Sequence, residues 1–132
     1  MSAVLLFKAV KAGDAATVSA LLAEDPSLVH ARDGDQSTPL HWAAWKGHEV
    51  LIDLLLDAGA DLQAHNENYH WGTTPLHAAA HGNQKQATAA LIRRGADINA
   101  LKANGTGTPL AETKVHNATA AAKLLREAGA VD

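Results

Sequence analysis

Apolar positions recur along the chain in paired short runs, and the pairs themselves recur. Thr38 to Ala64 reads TPLHWAAWKGHEVLIDLLLDAGADLQA, and Thr74 to Ala100 reads TPLHAAAHGNQKQATAALIRRGADINA. A fainter copy, TPLAETKVHNATAAAKLLREAGAVD, begins at Thr108. The copies start at residues 38, 74 and 108, so they stand 36 and then 34 residues apart. Residues 1–36 lack TPLH but keep the phase at a shift of 34: Leu6, Ala9 and Gly13 stand where Leu40, Ala43 and Gly47 stand later. Val18, Leu21 and Leu22 match Ile52, Leu55 and Leu56 in the same way. Self-similarity at such an interval is the mark of a solenoid, in which each unit buries its apolar face against its neighbours.

Each unit reads as a helix, a tight turn and a second helix. Thr38 is a good N-cap and Pro39 a good first helical residue, whose missing N–H costs nothing there. The first helix is expected to run to about Lys46 and to stop at Gly47 in the left-handed conformation. The second is expected over Glu49 to Asp57, closed by Gly59. It is apolar nearly all round (Val50, Leu51, Ile52, Leu54, Leu55, Leu56), which predicts packing on both sides. Thr74, Pro75 and Gly95 repeat these signals. Gly82-Asn83 replace Lys46-Gly47, and Asn83 can also take a positive φ. Thr108 and Pro109 open a fourth unit after the turn sequence Asn104 to Gly107. In the first unit, helices are expected over 3–11 and 15–23, with a turn at Gly13-Asp14 and an end at Asp25-Pro26. The unit boundaries fall near 1–36, 37–72, 73–106 and 107–132. The first and last units read as caps of a single domain, because an end unit has a neighbour on one side only. Lys114, Lys123, Arg126 and Glu127 are expected to wet the outer face of the last.

Composition narrows the function. Fourteen acidic residues face 11 basic ones, and the longest basic run is Arg93-Arg94. Binding nucleic acid through its backbone needs clustered cations, so no nucleic-acid partner is expected. No apolar run approaches the length of a membrane span or of a signal core; a cytoplasmic location without membrane contact is expected. There are no cysteines and hence no disulfides. Nucleophile-elbow, zinc-protease and phosphate-loop motifs are all lacking, so no catalytic residue is assigned and no cofactor is expected. His77 and His81 are four apart on a helix, a spacing that can share a metal. No cysteine or carboxylate is in evident position to complete a site, and no metal is assigned. Asp61 and Asp97 are expected to cap turns.

The motifs TPLHWAAWKGH at 38–48 with GADLQA at 59–64, and TPLHAAA at 74–80 with GADINA at 95–100, resemble ankyrin repeats. The resemblance covers essentially the whole chain as four repeats. It implies an all-α solenoid of stacked helix-turn-helix units joined by β-hairpin-like fingers. His41 and His77 would make structural hydrogen bonds between neighbouring loops, and Asn99 sits at a finger position that asparaginyl hydroxylases modify in some members. Gln36 departs from the glycine usual at its position, and the finger before Thr74 is three residues longer than usual. The implied function is non-catalytic recognition of a protein partner, by a monomer, through the finger tips and the concave face of the first helices. On the family pattern, Trp45, Lys46, His81, Gly82, Val115 and His116 hold variable first-helix positions. Asp35, Ser37, Tyr69, His70, Trp71, Thr73, Asn104 and Gly107 lie in the finger tips. Of these, Asp35, Ser37, Trp45, Lys46, Tyr69, His70, Trp71, Thr73, His81, Asn104 and His116 are the candidate partner-binding residues. Trp42 is assigned to packing. The alternatives are a small-ligand or metal site in the His/Trp-rich concave surface, and a purely structural scaffold.

Overall fold

The computed structural model of the chain describes residues 2–67, 72–115 and 117–131, with Val115 described by its backbone alone. Eight α-helices follow one another in four pairs: α1 (Ser2–Ala12) with α2 (Ala15–Glu24), α3 (Pro39–Lys46) with α4 (Glu49–Asp57), α5 (Pro75–His81) with α6 (Lys85–Arg93), and α7 (Pro109–Val115) with α8 (Thr119–Glu127). No β-strand occurs among the described residues. The first helices α1, α3, α5 and α7 stack in one layer, and the second helices α2, α4, α6 and α8 stack in another. None of these helices is long enough to persist alone in water, so packing must hold them.

The core lies between the layers. Leu6, Leu40, Leu76 and Leu110 hold the same place in the four first helices, and all are fully buried. Leu55, Leu91 and Leu125 face them from the second helices and are fully buried as well. Each such side chain contributes about 2 kcal/mol by leaving water. Thr88 is the exception in this seam: it stands where Ile52 stands one unit earlier, and its buried hydroxyl finds no hydrogen-bond partner. The second helix of the second unit is less enclosed than its composition predicts. Leu51, Ile52 and Leu55 are buried, but Val50 is 69% exposed. The neighbouring pairs cover two faces of α4 and leave the third to solvent.

The turns explain how helices this short are stopped and joined. Gly47 has φ of 78° and caps α3 in the left-handed region; Asn83 and Asn117 do the same work at 51° and 54°. Three side chains then tie each turn to its neighbour. His48 Nε2 donates to the Lys11 carbonyl at 3.2 Å, Gln84 Nε2 donates to the Trp45 carbonyl at 3.0 Å, and Asn83 Oδ1 accepts from the Ala121 amide at 3.1 Å. Asp61 and Asp97 cap turns as expected, accepting from the amides of Gln63 and Asn99. A 3-10 turn over Pro26–His30, which the sequence pattern does not announce, follows α2 and buries Val29.

The fingers between pairs are hairpin-like. Asp33 N donates to Ser37 O, Asn66 N to Thr73 O, and Lys102 N to Thr106 O, at 3.0, 3.0 and 2.7 Å. Adjacent fingers are joined in turn, Glu67 N to Asp35 O and Ala103 N to Gly72 O, both at 2.8 Å. Gln36 takes φ of 60°, the left-handed conformation that glycine adopts at the matching Gly72, with φ of 77°. The residue is unusual, but the bend is kept. No described helix is long and apolar enough to cross a membrane.

Candidate functional site

The shared motif builds the frame. The Thr38 amide donates to His41 Nδ1 at 3.2 Å, and the His41 amide donates back to Thr38 Oγ1 at 3.3 Å. Because Nδ1 accepts, the ring proton sits on Nε2, which donates to the Thr73 carbonyl of the next finger at 2.8 Å. Thr74, His77 and the Gly107 carbonyl repeat the arrangement with nearly the same distances. Burial pushes His41 from its ordinary 6.5 down to about 4; the Thr73 carbonyl opposes that, and the charges near it, Arg32 and His65, add to it. His77 is lowered as well, by burial first, with the Gly107 carbonyl and Glu112 opposing. In the fourth unit Ala111 replaces the histidine, and only half of the cap remains: Thr108 Oγ1 accepting from Ala111 N. His41 and His77 each reach from the first helix of one unit to a carbonyl of the following finger.

On this frame, between the first helices and the fingers, opens a cleft of about 150 Å³. Asp35, Ser37, His41, Trp42 and Trp45 line it from the second unit and the finger before it, with Asn66 from the following finger. Thr73, His77, Ala78 and His81 come from the third unit and Glu112 from the fourth. Trp45 and His81 lie ring against ring, with centroids 4.3 Å apart and planes tilted by 33°. His81 Nδ1 is 3.6 Å from Glu112 Oε2, and Lys102 Nζ is 2.9 Å from Glu112 Oε1. Glu112 is thus a buried acidic side chain that faces an ammonium group. Trp42 Nε1 donates to Asp33 Oδ2 at 2.7 Å, and Lys11 Nζ stands 4.2 Å from the centre of the Trp42 ring. A second, shallower depression of about 490 Å³ runs along α1, lined by Val4, Phe7, Lys8, Lys11 and Arg32, and takes in none of the candidate residues.

Of the candidates, Asp35, Ser37, Trp45, Thr73 and His81 come together in the cleft. Ser37 and Thr73 are not exposed tips: both are buried at the finger base. There Asn66 Nδ2 donates to Ser37 Oγ, and Asn66 Oδ1 accepts from the Thr73 amide. Lys46 is exposed but outside the cleft. Asn104 builds its own turn, accepting from Thr106 N at 3.1 Å. Tyr69, His70, Trp71 and His116 lie outside the described residues. Trp42 packs as expected and also forms part of the wall. Sequence reasoning missed Asn66 and Glu112. Glu112 was discoverable, since it holds the place in the fourth unit that Trp42 and Ala78 hold in the second and third. Among the described residues no three His, Cys, Asp or Glu side chains are grouped to hold a metal ion.

A family model described as ankyrin repeats (3 copies) matches residues 3–66, and one for a single ankyrin repeat matches 71–103. The serine/threonine-protein kinase VIK of Arabidopsis thaliana is 48% identical over 80 residues, 61% of this chain and 17% of that protein. Ankyrin repeat and SAM domain-containing protein 6 of Mus musculus is 36% identical over 100 residues, 76% of this chain and 11% of that protein. The probable E3 ubiquitin-protein ligase XBOS31 of Oryza sativa subsp. japonica is 34% identical over 114 residues, 86% of this chain and 24% of that protein. The chain therefore spans less than a quarter of each of these relatives. With the paired helices, the Thr–His caps and these matches in agreement, the chain belongs to the ankyrin repeat family, whose repeats are generally protein–protein interaction modules.

Proposed function

We propose that the chain is a non-catalytic module that binds a protein partner through its concave cleft and the fingers above it. One observation carries this reading. The frame is made of residues the repeats share, whereas the cleft wall adds to the shared His41 and His77 residues that the repeats do not share. Trp42, Ala78 and Glu112 hold one motif position in successive units; Trp45 and His81 hold another. A scaffold alone needs no such divergence at matched positions that line a cleft. Size favours a partner's side chain over a free ligand, because about 150 Å³ is well below the roughly 300–1,000 Å³ of small-molecule sites. The hydrogen bonds between fingers hold the surface rigid before binding, so little entropy is lost when a partner docks.

The test is affinity capture with wild-type and Trp45→Ala proteins, matched for folding by circular dichroism. Truncating an interface anchor costs about 2 kcal/mol or more of binding. Proteins retained by the wild type should drop out with the variant. Retention of the same proteins at the same affinity by both refutes the reading.

A further inference from the structure

Two lysines stand against side chains of the cleft wall, Lys102 on Glu112 and Lys11 on Trp42. Among the described residues the cleft wall itself contains two carboxylates, Asp35 and Glu112, and no lysine or arginine. Glu112 is already engaged from behind by Lys102. Asp35 is not: it is exposed at the rim, and its carboxylate makes no hydrogen bond or ion pair among the described residues. Its backbone is what the finger uses, the carbonyl accepting from Glu67 N. The other open wall is indole. Ring faces attract cations, and this molecule already shows it once, where Lys11 stands over Trp42. Trp45 is only half-buried and also faces the cleft.

We infer that the cleft takes a basic side chain, lysine or arginine, from the protein partner. This rests on the protein-binding reading above. The aliphatic stem packs against Trp45 and Ala78, and the cationic head reaches the rim at Asp35. An acidic side chain would meet the Asp35 carboxylate there. His41 and His77 do not compete as cations, since burial keeps both neutral at physiological pH.

A randomised peptide library displayed against the intact 132-residue chain tests this. Selected peptides whose binding is lost in Trp45→Ala should share one lysine or arginine. Replacing that residue by glutamine should weaken binding by about tenfold. Asp35→Asn should weaken the basic peptide by about fivefold and leave the glutamine peptide unchanged, because an exposed pair is worth little but is specific to the charge. The pair of effects separates a direct contact from a general loss of fold. If Trp45-dependent peptides carry no basic residue, or if Asp35→Asn affects both peptides alike, the basic-side-chain inference fails and the protein-binding reading stands. If no selected peptide depends on Trp45, both fail.

Discussion

Acid should unfold this protein through a histidine that cannot accept a proton where it sits. His41 Nδ1 receives the Thr38 amide and its Nε2 donates to the Thr73 carbonyl, so both ring nitrogens are committed in the neutral form. A second proton would have to go on Nδ1, against an N–H that already points at it, and in a buried site. The unfolded chain has no such constraint and binds the proton at about 6.5. A folded value near 4 lies below that, so the unfolded state holds more protons between the two. Stability is therefore fully present above the unfolded value and is lost as pH falls from about 6.5 towards 4. The gap is worth about 3 kcal/mol from His41 alone by the time pH reaches 4. His77 is shifted in the same direction and adds to the loss. Against a total of about 5–15 kcal/mol for a domain, that loss is large. The assay is urea unfolding followed by circular dichroism at a series of pH values between 7 and 4. The His41→Gln protein is run in parallel, since glutamine keeps an amide donor but cannot take up the proton. The wild type should lose stability steeply over this range, and the variant should lose markedly less while starting from a lower value. An identical pH slope in both proteins would refute the assignment of the acid sensitivity to His41.

Two further substitutions address places where the chain departs from its own pattern. Thr88→Val keeps the shape of a buried side chain whose hydroxyl has no partner, and should raise stability by about 1 kcal/mol, read as a higher urea midpoint at unchanged slope. Gln36→Gly relieves a left-handed residue at φ of 60° and should stabilise by up to about 1 kcal/mol; a loss of stability would show that the Gln36 side chain matters more than its backbone.

Much of this was legible in the sequence because repetition tests each local signal several times. Thr38 and Thr74 start helices, Gly47 and Asn83 end them, and Leu40, Leu76 and Leu110 mark the seam, each at its expected place. What was not legible depends on distances between units. Ser37 and Thr73 look like finger tips in one dimension; only the fold shows Asn66 pinning both at the finger base. Glu112 stands at the divergent position of Trp42 and Ala78, but its ion pair is seen only where Lys102 arrives from the preceding finger. Val50 is misjudged for the same reason, since composition gives a helix's hydrophobicity but not how many neighbours it has. The site followed the same division: Trp45 and His81 stood out by divergence from the shared motif, whereas their stacking emerged only from the packing of α3 against α5.

The side-chain ties that join the units, from His48 to Lys11, His41 to Thr73, Gln84 to Trp45, His77 to Gly107 and Asn83 to Ala121, each reach one unit along the stack. The cleft draws its walls from three successive units. Its width is therefore set by the angles at two joints and by no single element. A small change of curvature in the stack would close or widen the gap between Trp45 and Glu112 while every helix kept its internal hydrogen bonds. A substitution at Gln84 or Asn83, which tie the two joints from outside the cleft, should therefore reshape it without altering a residue of its wall.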